Sequence, residues 1–128
     1  MTRDLPAGVA AWLRDFASAV RERDLAAGRA LFDAGVVAFG TLCPRANGLD
    51  ELVAKQWHPV WSETDGFDFD LDGVVAAVDG AHAVVAATWS SRQRDAGGAR
   101  RGRATLVLRR TGGRWRAVHT HFSLMPEG

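Results

Sequence analysis

The stretch from Gly66 to Leu124 constrains this chain most. It is a succession of period-two runs separated by glycine turns, and period two means β-strand. "GFDFDLDGV" puts Phe67, Phe69 and Leu71 on one face and Asp68, Asp70 and Asp72 on the other. Asp79-Gly80 stands between "VVAAV" and "AHAVVAATWSS", and Gly112-Gly113 between "GRATLVLRR" and "RWRAVHTHFSL". Both are hairpin signals. Gly73 is expected at a bulge or bend. "RQRDAGGARRG" is expected as a mobile hairpin tip. The prediction is four strands in an antiparallel meander.

The first half has a different period. Val9, Trp12, Leu13, Phe16 and Val20 recur at helical spacing, with Asp4 as the expected N-cap and Pro6 just inside. "RDLAAGRALFD" predicts a second short helix, with Leu25, Leu31 and Phe32 as its apolar contacts and Gly35 as its stop. "VVAFG" predicts a short buried strand. Leu49, Leu52, Val53, Gln56, Trp57, Val60 and Trp61 then share one side of a third helix, which Pro59 should kink or tighten at its last turn.

Helices segregated from antiparallel strands define an α+β chain. Three N-terminal helices on one face of a curved sheet would leave a cone with a central pocket. The 128 residues, 1–128, fit one domain. A hydrophobic fraction of 47% and a charged fraction of 24% are ordinary for a globular protein. A net charge of +1 provides no field to recruit nucleic acid or anionic lipid. Cys43 is the only cysteine, so no internal disulfide can form. The first residues lack a signal peptide's apolar core, and no apolar run is long enough for a bilayer-spanning helix. The expectation is a cytoplasmic protein with neither nucleic-acid nor membrane partners.

The ending "TLVLRR", a glycine turn, then "RWRAVHTHFS", with "RDLAAGRALFDAGVVAF" and the tryptophan closing the third helix, Trp61, resembles the SnoaL-like, DUF4440-type group of the nuclear transport factor 2 (NTF2-like) superfamily. The resemblance runs from about Val9 to Pro126 and extends to the association domain of calcium/calmodulin-dependent kinase. It implies the α+β cone, a central pocket, a homodimer and no cofactor. It does not imply one function, since the superfamily includes isomerases, cyclases, dehydratases and non-catalytic oligomerisation hubs. The isomerases and dehydratases rely on tyrosines and acids in the cone. This chain has no tyrosine. The arginines of the kinase domain's anion pocket match Ser90, Leu106 and Phe122 here. Trp61 carries over as a pocket residue.

His119 and His121 lie two apart on the last strand, so they share a face, with Trp115, Ala117 and Ser123 alongside. Three readings stay open. The pair could begin a zinc or iron site if His82, Cys43 or His58 supplied a third ligand, although H-x-H alone is a weak motif. It could serve as a general acid or base near neutral pH, as could His58. By the resemblance, the Phe122 side faces the cone and the histidines face outward, where Trp115, His119, His121 and Trp89 would form a dimer face.

The expected ligand pocket is Trp61, Trp57, Trp12, Phe39, Thr88, Ser90, Leu106, Thr120 and Phe122. Thr88, Ser90 and Thr120 would be its polar groups. They could orient a carbonyl but are poor acids and bases. The aspartate ladder at 68, 70 and 72 is expected as a solvated face. Arg92, Arg94, Arg100, Arg101 and Arg103 cluster at a hairpin, either solvated or facing a phosphate-bearing ligand, without the interleaved aromatics of a nucleic-acid surface. No phosphate loop, dinucleotide fingerprint or nucleophile elbow is present. The leading expectation is a protein binding an apolar or aromatic, polyketide-like small molecule, as in secondary metabolism. Its chemistry, if any, would be cofactor-free isomerisation, cyclisation or dehydration. The rival is a non-catalytic dimerisation or partner-binding module with a filled cone.

Overall fold

The computed structural model describes residues 5–95 and 97–126. Helix α1 (Ala7–Glu22) buries Val9, Trp12, Leu13, Phe16, Ala17, Ala19 and Val20 along one stripe. Asp4, the expected cap, lies outside the described residues, and Pro6 takes the N-cap position instead of the first turn. The helix ends at Arg23, in the left-handed region at φ 54°. Only glycine visits that region cheaply. Here the guanidinium offsets the strain: Nε donates to the Trp61 carbonyl at 3.1 Å, and Nη2 to the Thr64 carbonyl and Asp65 carboxylate, each at 2.8 Å.

Helix α2 (Leu25–Arg29) is capped by the Asp24 carboxylate, which accepts from the Ala27 N–H at 3.0 Å. It is shorter than its sequence predicts. Phe32 already begins strand β1 (Phe32–Phe39), and Gly35, the expected stop, lies within that strand, where pairing shifts between Phe32 and Val37. After the short β2 (Ala46–Asn47), one helical stretch runs through α3 (Leu49–Leu52), a π-helical turn (Val53–Trp57) and α4 (His58–Trp61). The third helix therefore widens ahead of Pro59, where a kink or a tightening of the last turn was expected. The His58 N–H donates to the Val53 carbonyl, five residues back. Proline has no N–H to continue the ladder, and an inserted residue absorbs the mismatch. Glu51 reaches back to the Asn47 N–H at 3.0 Å, which with nearby Lys55 holds its carboxyl below the usual range.

The remaining elements are β3 (Thr64–Phe69), a 3-10 turn (Leu71–Gly73), β4 (Val75–Asp79), β5 (His82–Gln93), β6 (Ala99–Thr111) and β7 (Arg114–Leu124). The sheet order is β2-β1-β7-β6-β5-β3, with β4 also on β5. Strand β5 is long enough to pair with β4 over one half and β3 over the other, and the chain bends between them at Gly73. The sheet is antiparallel except at one ladder. Strand β1 runs parallel to β7, the one exception to the expected antiparallel sheet among the described strands. Parallel neighbours need a long crossover, and everything from β2 to β6 supplies it.

Register shifts interrupt β1, β3 (between Asp65 and Asp68, around Gly66 at φ 64°) and the β6–β7 ladder. Such bulges bend strands, and they curve the sheet around α1. Phe16 sits at the centre. Its ring centroid lies 5.3 Å from Trp12, 5.6 Å from Phe32, 5.9 Å from Trp57, Trp61 and Phe122, and 6.1 Å from Phe67. Among the described residues, no helix is long and apolar enough to cross a membrane.

Candidate functional site

The concave side of the sheet and the helices enclose a cavity of about 60 Å³, open on one side. That is room for roughly four waters, at about 10–15 Å³ of free space each. Phe16, Trp57, Trp61, Phe67 and Trp89 are buried in its wall, while the half-buried Gly40, Thr41, Val60, Arg100 and Phe122 surround the opening. Four residues apart on this helical stretch, the indoles of Trp57 and Trp61 stack 4.6 Å apart, 17° from parallel. Gly28 of α2 packs against this pair so closely that a Cβ there would strike both rings.

Gln56 is the buried polar residue of the helical wall. Its Oε1 accepts from the Leu42 and Cys43 N–H groups at 2.8 and 2.9 Å, and its Nε2 donates to Thr41 Oγ1 at 2.8 Å. One amide thereby pins the loop that closes one side of the cavity. Thr64 is committed to the Val60 carbonyl at 2.7 Å. Ser91 and Arg100 face each other across the β5–β6 ladder, on the concave side near the hairpin end. Arg100 is the only ionisable group among the described lining residues.

The structure sorts the sequence candidates. Trp57, Trp61, Phe39, Thr120 and Phe122 border the cavity. Trp12 and Leu106 do not. Trp12 is core, its Nε1 donating to the Leu31 carbonyl at 2.9 Å, and Leu106 is fully buried in the sheet. Thr88 and Ser90, expected inside, point to the convex face. Trp89, expected on that face, points inward with Ser91. The reason is parity: β5 alternates, and its continuous apolar run gives no cue as to which set is inner. Trp115 also leaves the histidine face. The pairing of β6 with β7 shifts between Val107 and Leu108, so Ala117 pairs with Leu108 and His119 with Val107. Trp115 and Ala117 therefore turn toward α1, where Trp115 packs on Gly8, while His119 and His121 turn outward.

The histidines belong to the convex face. His119 Nδ1 donates to the Val37 carbonyl at 2.7 Å. The Phe39 ring meets both imidazoles edge-on, at 5.2 and 5.4 Å. His58 is exposed on the third helical stretch and His82 is exposed at the start of β5. Among the described residues, no three of His, Cys, Asp and Glu converge as a metal site would require. Asp68 is exposed on β3, Asp70 is exposed just past its end, and Asp72 lies in the turn after it. Gln56, Ser91, Arg100, Phe16 and Phe67 were absent from the expected pocket. Of these, Gln56 left a signal: a polar residue inside an apolar helical stripe.

A curved α+β sheet enclosing an aromatic cavity under its helices defines an NTF2-like cone. Within that class the chain belongs to the SnoaL-like domain family, whose family model matches residues 9–127. No curated protein matches the sequence. Solved structures share the fold. A candidate calcium/calmodulin dependent protein kinase II association domain from Xanthomonas campestris superposes with a TM-score of 0.83 at 18% identity, covering 99% of this chain and 96% of its own. A ketosteroid isomerase-like protein from Erwinia carotovora atroseptica does so at 0.75 and 19%, covering 94% and 96%. A candidate dehydratase of the NTF2-like family from Streptomyces avermitilis does so at 0.78 and 24%, covering 94% and 95%.

Proposed function

We propose that this protein binds a compact, apolar, one-ring molecule in the aromatic cavity. The observation that carries this reading is the wall itself: Trp57, Trp61 and Trp89, with Phe16, Phe67 and Phe122, around an opening to solvent. Large rigid rings bury much ligand surface at little entropic cost. The small volume favours a single ring over a fused polyketide-like intermediate, since pockets for drug-sized ligands measure about 300–1,000 Å³. Hydroxyls at Ser91 and Thr120 are available to orient a carbonyl. Binding is favoured over proton-transfer turnover. Among the described lining residues the one ionisable group is an arginine, which stays protonated and cannot serve as a general base. The likeness to isomerase-like and dehydratase-like proteins leaves cofactor-free isomerisation, cyclisation or dehydration as the enzymatic variant.

The test is direct. Benzamide, a neutral one-ring probe, should shift the tryptophan fluorescence saturably, and Trp61→Ala should weaken its binding. Absence of saturable binding, together with native mass spectra showing no retained small molecule, would remove the reading.

A second reading concerns the convex face. Val84 is 50% exposed there, between His82 and Ala86 on β5, a surface fit for an isologous contact between two copies. Native mass spectrometry of the same sample reads the oligomer. A dimer that Val84→Glu dissociates supports this interface, whereas a monomer removes it.

A further inference from the structure

We infer that the cavity selects a carboxylate-bearing ligand, with Arg100 holding the carboxylate at the opening. This deepens the binding reading above and rests on it. Arg100 is half-buried and shares the inner-face parity of Gly102, Ala104, Leu106 and Leu108 on β6. It stands opposite Ser91, which is 6% exposed, and both residues line the cavity. Among the described residues, Arg100 has no ion-pair partner, so its guanidinium is not committed to a carboxylate of the chain. It stands at none of the three positions that the resemblance matches to arginines.

Arginines elsewhere on β6 show the alternative. Arg101 and Arg103 are exposed, pointing away from the cavity into water. Arg100 lines the cavity beside its apolar wall, where a lone cation loses hydration. A bound anion restores it, and the planar guanidinium matches a carboxylate with two parallel N–H···O bonds. Ser91, opposite, brings a hydroxyl that can donate to the same group. The ligand's ring would lie against Trp57, Trp61 and Trp89, and its carboxylate would stay at the opening, partly hydrated. This division explains how so small a cavity can serve a charged ligand without burying the charge.

The experiment compares three probes of similar shape, benzoate, benzamide and phenylphosphonate, titrated into the 128-residue protein by tryptophan fluorescence and calorimetry. Benzoate should bind at least about tenfold more tightly than benzamide at low salt, with the preference shrinking as salt rises. Arg100→Gln should abolish the preference, with a cooperative thermal transition showing that the variant is folded. Arg100→Lys should keep part of the preference, and the outward-facing control Arg101→Gln all of it. Equal binding of benzoate and benzamide to the unmodified protein overturns the carboxylate inference and leaves the aromatic cavity standing. So does a benzoate preference that survives Arg100→Gln. Tighter binding of phenylphosphonate than benzoate overturns the carboxylate class. No binding of any probe overturns this inference, and with no small molecule retained in native mass spectra it overturns the binding reading as well.

Discussion

Trp89 and Gly102 face each other across the β5–β6 ladder, and the indole fills the space a Cβ on residue 102 would need. That Cβ would also strike the Ser123 carbonyl, which is backbone and cannot rotate away. The indole is further tethered by its Nε1, which donates to the Arg103 carbonyl at 3.2 Å. Gly102 thus exists so that Trp89 can form the cavity wall. Gly102→Ala should cost about 1–3 kcal/mol, the range for overpacking a tight site. Urea denaturation measures the loss, and a changed tryptophan emission in the folded state reports displacement of the wall.

Phe16 touches the rings of both the helices and the sheet, so its removal leaves a void that no single neighbour can fill. Phe16→Ala should destabilise by about 3–5 kcal/mol. Phe122→Ala, at the half-buried opening, should cost clearly less and instead alter probe binding. Paired denaturation and titration curves separate the two. Equal stability losses would contradict the assignment of Phe16 to the centre and Phe122 to the opening.

The loop at Leu42 and Cys43 depends on one side chain. Gln56→Ala would leave two N–H groups without their acceptor, at about 1–3 kcal/mol for a buried donor. The expected signature is faster hydrogen exchange at the Leu42 and Cys43 amides. Cys43, 4% exposed and not disulfide-bonded, should become reactive toward a thiol reagent in the native protein. Unchanged thiol reactivity would mean the loop is held by something else.

His119 and His121 share a face but not a burden. His119 carries the bond to Val37, whereas among the described residues His121 has only the edge of Phe39. His119→Ala should lower stability by about 0.5–1.5 kcal/mol, the net value of one hydrogen bond. His121→Ala should change it by less than about 0.5 kcal/mol, as surface substitutions do. Neither should change benzamide binding, because both point away from the cavity.

Much of this architecture is written locally. The hairpins at Gly80 and at Gly112-Gly113 form where the glycines stand, at φ 60°, 59° and 78°, since those conformations disfavour any other residue. The apolar stripe of α1 is legible from spacing alone. The third helix was legible as a helix, but its π turn was not, because the widening answers both the proline and the packing of Trp57 and Trp61 on Gly28.

The sequence by itself determined the α+β class, the turn positions and the helical stripes, all of which rest on interactions between residues close along the chain. Only the tertiary structure decided which face each strand turns inward. A strand's alternation has two phases of equal local merit, and a bulge exchanges them. One register shift beside Val107 put Trp115 inside and His119 outside on the same strand. The phase of β5 exchanged Thr88 and Ser90 for Trp89 and Ser91. The same parity on β6 turned Arg100 toward the cavity while its neighbour Arg101 stayed in water. Those choices are made by long-range packing around Phe16, and they set the chemistry of the site.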